Sequence, residues 1–536
     1  MSRQQNPILP GFHPDPCIIR VGGQYYIATS TFEWWPGVQI HKSSDLVKWE
    51  LAGYGLTRRS QLEMRGNPDS GGVWAPALSH ADGRFWLVYS DVKAHHGPFK
   101  DVRNYLVTSK AVEGPWSDPI PLNRSGFDPS LFHDDDGRKW LVNQVWKTSS
   151  EMDAFAGIVL QEYSVSDHRL VGSPVNIFRG SPLGRTEGPH LYRKDGYYYL
   201  VTAEGGTEWE HAVTVARSRN MTGPYELAPN NPILTSKGYP KNRLQKAGHG
   251  SLVQTPEGKW ILAHLCGRPV GSKKRCILGR ETALQNIVWP VGDWPRLASG
   301  SNEPVGWLEV AGGKASPYMR EFVDEFDSVR LNPHWNTLRE PADKGWLSLS
   351  ARPGFLRLRG RYSLQSCFDQ SLVGFRLLHH RCFVSARLDF SPASFQQRAG
   401  LVLFYNTSNY YYLYVTASDE GGREIGILAC DNRKNREILK RPIPIPRSGA
   451  LDLAAVLDET QLQFFIAHDS LRGDVAVGPA LDATILSDDH PGEGGLDIAF
   501  TGAFAGLCSQ DSGARNVAAD FDWFRYRGEN ARNSDA

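Results

Sequence analysis

The sequence lacks several features that would assign it to other classes of protein. Cysteine is scarce: the seven cysteines among 536 residues are odd in number and form no CxxC pair, which argues against a disulfide framework or a zinc site. No stretch approaches the roughly 20 apolar residues that span a membrane, and the N-terminus has no apolar signal core. A P-loop glycine run and an HExxH motif are also absent. These absences predict a cytoplasmic protein that is neither a P-loop enzyme nor a zinc protease.

An excess of charge of either sign is also missing. The formal net charge is +1, so electrostatics gives no reason to expect a nucleic acid or a membrane as partner. Aromatic residues, in contrast, are plentiful, with 16 Trp, 20 Tyr and 23 Phe. Such residues build β cores and also stack against the faces of sugar rings. Because single cores rarely grow beyond about 250–300 residues, the length predicts more than one domain.

One pattern recurs five times in the first 300 residues: a short polar or small segment, an aliphatic residue, a turn with Gly, and an aromatic strand. Successive copies start 60, 53, 60 and 61 residues apart. Each copy opens with two strands joined by a hairpin turn. Five such four-stranded units predict a five-bladed β-propeller. The copies open at Asp15-Pro-Cys-Ile18, Ala75-Pro-Ala-Leu78, Asp128-Pro-Ser-Leu131, Gly188-Pro-His-Leu191 and His249-Gly-Ser-Leu252.

The sequence changes character between residues 310 and 322. Beyond this point, strand-like segments such as Phe355–Arg359, Gly400–Phe404 and Tyr410–Tyr414 follow one another without helix signals. This pattern predicts a β-sandwich of the jelly-roll kind. The chain is therefore predicted to be all-β, with a propeller over residues 1–310 and a sandwich over 322–536.

Equivalent repeat positions converge in a propeller, because the innermost strands of all blades meet at one mouth of the central channel. The residues three and four places before each aliphatic residue include three carboxylates, two large aromatics and a histidine. One Asp before Pro is usually a turn or cap residue. Three acids at equivalent or adjacent positions of three blades instead indicate a functional cluster. The pairs are Pro14/Asp15, Trp74/Ala75, Phe127/Asp128, Glu187/Gly188 and Gly248/His249.

Such a cluster suits the hydrolysis of a glycosidic bond. One carboxylic acid must protonate the leaving oxygen, while a carboxylate activates water or attacks the sugar carbon. A further carboxylate raises the pKa of the acid by repulsion between like charges and so keeps it protonated. Aromatic walls then hold the apolar faces of the sugar ring.

At these residues the chain resembles glycoside hydrolase family 43, in particular its β-xylosidase branch. The resemblance covers both predicted domains, and no motif position departs from it. The matching segments are Asn6-Pro-Ile-Leu-Pro-Gly-Phe-His-Pro-Asp-Pro16, Tyr26-Ile-Ala-Thr-Ser-Thr-Phe-Glu-Trp34, Pro36-Gly-Val38, Gly72-Val-Trp-Ala-Pro76, Thr186-Glu-Gly-Pro189, Ala247-Gly-His-Gly250 and Leu278-Gly-Arg-Glu-Thr282.

The resemblance implies a role for each acid. Asp15 is expected to be the general base that activates water, Glu187 the general acid, and Asp128 the residue that tunes and orients Glu187. Inversion is then expected, with the two catalytic carboxyls about 6.5–9.5 Å apart. Arg280 is expected to bind sugar hydroxyls, with an ion pair to Glu281 as the structural alternative.

The resemblance also implies the lining of the pocket. Phe32, Trp74, Phe127 and Thr207 are expected to lie along its wall, and His249 at the axis of the channel. No cofactor is expected to be required; Ca²⁺ near His249 is an alternative, although calcium prefers oxygen ligands. Phe504 of the second domain is expected to close the site, with an ordinary core residue as the alternative, so that the pocket is blind and the action exo.

The expected function is release of xylose from β-1,4-xylo-oligosaccharides, and relatives of this kind are often homo-oligomers. An α-L-arabinofuranosidase is the first alternative, since the two sugars present similar hydroxyls. A non-catalytic carbohydrate-binding propeller is the second, but it has no need of three homologous acids. An endo-arabinanase fits less well, because a cleft that is closed at one end leaves no room for a long chain.

Overall fold

The computed structural model describes residues 2–97, 99–148, 155–310, 319–468, 474–494, 499–513 and 516–529. The described residues form two compact units, one within Met1–Arg268 and Arg280–Ser316, the other within Pro269–Gly279 and Pro317–Ala536. The predicted change of domain between 310 and 322 falls largely on residues 311–318, which lie outside the described residues. The predicted limits of 1–310 and 322–536 stay a prediction. A segment that the prediction counted with the propeller, Pro269–Gly279, lies with the second unit.

The first unit consists of β-strands. Its strands are β1 (Ser2–Gln5), β2 (Cys17–Val21), β3 (Gln24–Thr29), β4 (Trp34–Trp35), β5 (Gly37–Ser43), β6 (Glu50–Leu56), β7 (Gly72–Ala81), β8 (Arg84–Ala94), β9 (Asp101–Ser109), β10 (Ile120–Pro121), β11 (Ser130–His133), β12 (Lys139–Trp146), β13 (Phe155–Ser164), β14 (Arg169–Phe178), β15 (Glu187–Lys194), β16 (Tyr197–Glu204), β17 (Ala212–Ser218), β18 (Glu226–Leu227), β19 (Leu234–Thr235), β20 (Gln245–Gln254), β21 (Trp260–Gly267), β22 (Glu281–Val288), β23 (Arg296–Leu297) and β24 (Trp307–Val310).

Within the described residues, these strands form five antiparallel sheets of four or five strands each. In chain order the sheets are β2-β3-β5-β6, β7 to β10, β11 to β14, β15 to β19, and β20 to β23. The first strands of the five sheets contact one another in a closed ring, β2 to β7, β11, β15, β20 and back to β2. The predicted five-bladed propeller is therefore confirmed, and these five strands are its innermost ones.

Local sequence explains the tight turns of the blades. Strands β7 and β8 are joined by Asp82-Gly83, and β15 and β16 by Asp195-Gly196. Both residues of each pair have positive φ angles, 52° and 68° in the first turn and 51° and 74° in the second. Two-residue hairpins favour this conformation, which glycine adopts without strain. The Gly-containing turn of the repeat is thus explained.

The N-terminal segment closes the ring on the last blade, which the repeat did not predict. Strand β1 pairs with β24 in antiparallel register. Asn6 continues the closure, because its Nδ2 donates a hydrogen bond to the Leu284 carbonyl over 2.8 Å and its Oδ1 accepts one from the Leu284 amide over 3.0 Å. This segment leads directly to Asp15, so the closure fixes the approach of that residue to the channel.

The second unit is also built from strands. Its elements are β25 (Glu321–Asp324), β26 (Trp335–Leu338), β27 (Leu347–Ser348), β28 (Leu356–Arg359), β29 (Ser371–Arg376), β30 (Arg381–Phe390), β31 (Gln397–Asn406), β32 (Asn409–Ala417), β33 (Arg423–Asp431), β34 (Lys434–Glu437), β35 (Ile443–Ile445), β36 (Leu451–Asp458), β37 (Gln461–Ala467), β38 (Val475–Asp482), a 3₁₀ helix (Ala483–Ile485), α1 (His490–Glu493), β39 (Phe504–Asp511) and β40 (Ala518–Glu529).

These strands form two antiparallel sheets around a single core. One sheet has the order β27-β28-β40-β30-β36-β37-β38, with β25 beside β40; the other contains β34-β33-β32-β31-β39-β29-β26, with β35 beside β33. Alternate side chains such as Val384 and Leu453 from the first sheet and Leu401 and Ile425 from the second are buried in one cluster. The predicted β-sandwich is confirmed. Among the described residues, no helix is long and apolar enough to cross a membrane.

Candidate active site

Four of the five residues aligned by the repeat share an unusual backbone conformation at the channel mouth. Asp15, Asp128, Gly188 and His249 have φ angles of 53°, 53°, 57° and 49°. This left-handed region is uncommon for residues other than glycine, and such strain is concentrated at functional sites. Asp15 and Asp128 each precede an innermost strand by two residues, and Glu187 begins the innermost strand β15. The repeat therefore delivers side chains from several blades to one place.

The Asp15 carboxylate is held by two neighbours. Ser30 Oγ donates a hydrogen bond of 2.6 Å to Asp15 Oδ2, while His249 Nδ1 lies 3.6 Å from Oδ1. The Asp15 side chain is 13% exposed. The carboxylate is thus oriented by residues of the first and last blades but stays accessible to a small molecule such as water.

The pKa values of Asp128 and Glu187 are both raised above their usual ranges. Burial raises the pKa of Asp128 well above its usual range, with further increases from the carboxyls of Glu187 and Asp15. Burial also raises the pKa of Glu187 to about 7, and the Asp15 carboxylate adds to this increase. The three acids therefore lie close enough to repel one another, as the repeat predicts. Asp128 also accepts a 3.0 Å hydrogen bond from the amide of Gly188, next to Glu187.

Three cations limit the increase in the pKa of Glu187. Arg280 has the largest opposing effect, followed by Arg185 and Lys100. Arg280 is 2% exposed, and its Nη2 donates a 3.2 Å hydrogen bond to the backbone carbonyl of Thr207. The sequence left open an ion pair between Arg280 and its neighbour Glu281. In the structure the Glu281 carboxylate pairs with a different residue.

Glu281 forms a bidentate ion pair with a different arginine. Arg268 donates to its two carboxylate oxygens over 2.6 and 2.7 Å, and the Gly11 amide donates to one of them over 2.7 Å. The arrangement occupies Glu281 on the side of the N-terminal segment. Arg280 is thereby left close to Glu187, where a guanidinium can bind hydroxyl groups of a ligand.

The predicted aromatic residues form a continuous wall across three blades. The ring of Trp74 lies 6.4 Å from that of Phe32 and 5.2 Å from that of Phe127, measured between centroids. Trp74 Nε1 donates a 2.8 Å hydrogen bond to the Ser70 carbonyl, which fixes the indole. His95 adds a fourth ring 5.6 Å from Trp74. Such a wall of rings is able to pack against the apolar face of a sugar ring.

Two histidines close to the aligned positions have lowered pKa values. Burial lowers the pKa of His249, although the Asp15 carboxylate raises it, and burial lowers the pKa of His211 to about 3. Two glycines make room for these rings. A Cβ on Gly188 would lie 2.9 Å from the His249 ring, and one on Gly248 would lie 1.8 Å from the His211 ring. The glycines of the Glu187-Gly188 and Gly248-His249 pairs are therefore required by close packing.

The structure does not test the expectation of calcium near His249. In the part of the chain that the structure describes, no group of three or more His, Cys, Asp or Glu side chains is placed to hold a metal ion. Calcium takes six to eight oxygen ligands, whereas the His249 ring offers nitrogen and faces Asp15. Calcium near His249 therefore stays a prediction.

Comparison with known proteins identifies the family. The sequence profile described as Glycosyl hydrolases family 43 matches residues 4–295, more than half of the chain. The chain belongs to glycoside hydrolase family 43. A second profile, described as the Beta xylosidase C-terminal Concanavalin A-like domain, matches residues 323–527 of this family-43 enzyme.

The relatives of this family-43 enzyme match it along both units. It is 49% identical to Xylosidase/arabinosidase 43B of Humicola insolens, over 98% of both chains. It is 47% identical to Beta-xylosidase of Bacillus subtilis (strain 168), over 97% of this chain and 99% of the relative. The crystal structure of xylan beta-1,4-xylosidase from Bacillus halodurans C-125 has a TM-score of 0.95 and 52% identity, and the match covers 98% of this chain and all of that one.

Among the predicted binding residues of the first unit, His249 lies beside Asp15, and Arg280 lowers the pKa of Glu187. Thr207 contacts Arg280 through its backbone carbonyl. Phe504 belongs to the second unit, where it begins β39 and its ring centroid lies 5.4 Å from the Arg376 guanidinium carbon. Its expected role in closing the pocket stays a prediction.

Several residues near the acids were missed by sequence reasoning. Ser30 lies within the family-like segment Tyr26–Trp34, and Arg185 stands two residues before Glu187, so both positions carried a usable signal. Lys100 carried none, because it lies in the loop between β8 and β9 and outside the repeat. Its Nζ donates a 2.8 Å hydrogen bond to the His95 carbonyl and lies 4.3 Å from the Trp146 ring centroid.

We expect Lys100→Met to move the alkaline limb of the pH–rate profile to higher pH. The Lys100 cation lowers the pKa of Glu187, so its removal lets Glu187 stay protonated at higher pH. The measurement is kcat/KM of a nitrophenyl glycoside between pH 5 and 9. Lys110→Met, which removes an exposed cation elsewhere on the same blade, is the matched control. An unchanged limb in Lys100→Met would contradict the electrostatic link to Glu187.

Proposed function

We propose that this enzyme is an exo-acting β-xylosidase that releases xylose from the non-reducing end of β-1,4-xylo-oligosaccharides by a single-displacement, inverting mechanism. The observation that carries the proposal is the meeting of three carboxyl groups from three blades, with the pKa of Glu187 raised to about 7. Glycosidic hydrolysis needs such an acid beside a carboxylate base. The likeness of both units to β-xylosidases supports xylose as the sugar.

In this mechanism Asp15 is the base. Its carboxylate removes a proton from a water molecule while the water oxygen forms a bond to C1 of the terminal xylose. Ser30 and His249 fix the orientation of the carboxylate, and the neutral His249 ring supplies no competing positive charge. The limited exposure of Asp15 restricts attack to a water molecule at one position.

Glu187 is the acid of the same step. It donates its proton to the leaving oxygen as the bond between that oxygen and C1 breaks. One proton leaves Glu187 and one reaches Asp15, and exchange with solvent restores both groups. Because water attacks the face opposite to the leaving group, the first product is α-xylose. Asp128 positions Glu187 through its hydrogen bond to the Gly188 amide.

The remaining residues hold the sugar. The Phe32, Trp74 and Phe127 rings offer an apolar wall, and Arg280 offers a fixed set of donors to the hydroxyl groups. Thr207 positions Arg280 through its carbonyl. Phe504 is proposed to restrict the pocket to one terminal sugar.

The stereochemistry of the first product tests the proposal. We expect proton NMR to show α-xylose as the initial product from xylobiose, with slow appearance of the β anomer by mutarotation. Initial β-xylose would mean retention, and Asp15 would then be a nucleophile. Release of neither anomer, together with no cleavage of arabinofuranosides, would contradict hydrolysis and favour a carbohydrate-binding propeller.

An α-L-arabinofuranosidase is the second candidate for the same site. The printed name of the Humicola insolens relative includes both activities. Arabinofuranose and xylose present similar hydroxyl groups to one set of donors. Rates on the two nitrophenyl glycosides separate the candidates, since a higher kcat/KM on the arabinofuranoside would replace xylose as the proposed substrate.

The setting of the enzyme is a further part of the proposal. All seven cysteines are free thiols, which suits a reducing compartment such as the cytoplasm. Recovery of activity mainly outside intact cells would contradict this location.

We also propose that no cofactor is required, so activity should survive a chelator; loss of activity would favour calcium near His249. A homo-oligomer is proposed from the family resemblance alone.

A further inference from the structure

The first sheet of the second unit carries a groove on the face that points away from the core. The groove has a volume of about 540 Å³, and all of its lining residues belong to the second unit. Phe383, Phe465 and Trp523 line it from three different strands, β30, β37 and β40. Ser385 and Ala454 lie between them. A volume of this size is in the range of small-ligand sites.

Strand register explains why this face is concave. Arg525, Ser385, Ala454 and Phe465 are successive partners in one row across β40, β30, β36 and β37. The two central residues are small, whereas both end residues are large. Three strand spacings of about 4.8 Å give the row a length of about 14 Å. The row therefore forms a trough with a low floor, suited to a short extended ligand.

The aromatic residues of the groove are not needed by the core. Alternate residues of β30 and β37, such as Val384 and Phe464, fill the core, while Phe383 and Phe465 point to the opposite face and stay half-buried. Each ring keeps apolar area in contact with water, and burial of that area would be favourable by roughly 25 cal/mol per Å². Three such rings around one depression indicate a surface that binds something.

Trp523 is held in place before any ligand arrives. The guanidinium carbon of Arg525 lies 4.5 Å from the Trp523 ring centroid, and the same guanidinium pairs with Glu325 over 3.5 Å. Stacking on arginine restricts the indole to a defined orientation. A restricted side chain loses less entropy on binding, which favours recognition by the groove.

The charges around the groove indicate a neutral ligand. The charged residues that line the groove are of both signs: Glu321, Asp452, Asp474, Arg525 and Arg527. Asp452 pairs with Arg387 over 3.3 Å, and Arg525 pairs with Glu325 over 3.5 Å. With three acids and two bases in the lining, the groove offers an anion no excess of positive charge. Aromatic rings with flanking hydrogen-bonding groups suit a ligand that has apolar ring faces and many hydroxyls.

We propose that this groove is a second carbohydrate-binding site, which holds a short internal segment of a neutral, β-linked pyranose chain. The identity of the sugar as xylan rests on the proposed function, whereas the binding itself does not. Trp523 and Phe383 stack against ring faces, and Ser385 and the rim charges bind hydroxyls. A second copy of this chain fits less well, because a stable interface buries about 800 Å² per partner on a flatter surface.

Affinity electrophoresis in gels with soluble xylan tests the groove. All proteins carry Glu187→Gln, which prevents digestion of the xylan. We expect Trp523→Ala and the floor-filling Ala454→Gln to weaken retardation at least fivefold relative to the parent. Trp307→Ala is the matched control, because Trp307 is 49% exposed in the first unit and should leave retardation unchanged. In the otherwise wild-type enzyme, which retains Glu187, Trp523→Ala should leave hydrolysis of a nitrophenyl xyloside unchanged.

Each other outcome has a defined meaning. Equal retardation of the parent and both groove variants would overturn the proposal. A change in oligomeric state on Trp523→Ala, without any retardation of the parent, would assign the groove to a second copy and also overturn it. If the enzyme hydrolyses no xyloside but is retarded by xylan in a manner that depends on Trp523, the groove proposal is supported and only the proposed function fails.

Discussion

Asp15→Ala is expected to lower kcat by roughly 10²–10⁴-fold on xylobiose and on a nitrophenyl xyloside alike. Both reactions need an activated water molecule, whatever group leaves. The hydrogen bond from Ser30 and the proximity of His249 place only this carboxylate, among the three acids, beside two fixed polar neighbours. The measurement is steady-state kcat on the two substrates at pH 6.

Glu187→Ala is expected to separate the two substrates. Xylobiose should lose a similar 10²–10⁴-fold, because its leaving alkoxide needs a proton. The nitrophenyl xyloside should lose far less, since a nitrophenolate leaves without protonation. This split follows from the raised pKa of Glu187, which keeps it protonated up to about pH 7. The pair of variants therefore assigns the acid and the base independently.

A matched control is available on the third blade. Asp134 is a buried acid that pairs with Arg193 over 3.1 Å and accepts a 3.1 Å hydrogen bond from Tyr198, away from the channel mouth. Asp134→Ala should keep kcat on both substrates. If instead Asp15→Ala showed the dependence on leaving group and Glu187→Ala did not, the two roles would be exchanged.

The central part of the site could be predicted from sequence because it is repeated. Five copies of one pattern supply an internal alignment. Asp15 and Asp128 stand out as acids at a position where the other copies carry alanine, glycine or histidine, and Glu187 as an acid at the preceding position. The structure repeats the backbone as well, with left-handed φ angles at Asp15, Asp128 and His249. A periodic fold thus converts distance along the chain into proximity at its axis.

The parts of the site outside the repeat could not be predicted in this way. Lys100 comes from a loop, and its place beside the Trp146 ring depends on the path of the chain between two strands. The partner of Glu281 is Arg268, thirteen residues earlier, and not its neighbour Arg280. Nothing in the order of residues distinguishes these two arginines, because the choice is made by packing against the N-terminal segment. The second unit likewise includes Pro269–Gly279, which a linear division places with the propeller.

The same acids that suit catalysis should weaken the fold near neutral pH. Burial holds the pKa of Glu187 at about 7, above the 4.5 of an unperturbed glutamate. The folded state therefore keeps a proton on Glu187 at pH values where the unfolded state has released it. As pH rises, the free-energy cost of ionising Glu187 is subtracted from the stability of the folded state. The cost is absent below about pH 4.5 and complete above about pH 7.

Glu187→Gln is accordingly expected to stabilise the protein at pH 8 and not at pH 4. A difference of about 2.5 pKa units corresponds to about 3 kcal/mol as an upper bound, which solvent near the partly accessible side chain reduces. Thermal unfolding of the two proteins at both pH values measures the effect, and Asp128→Asn should shift in the same direction because burial also raises the pKa of Asp128. The matched control is Glu437→Gln, at a partly exposed glutamate of the second unit that lies 3.3 Å from Arg398. An equal gain at pH 4 and pH 8 would contradict linkage to the Glu187 proton, and a loss at pH 8 would mean that the site stabilises the ionised acid.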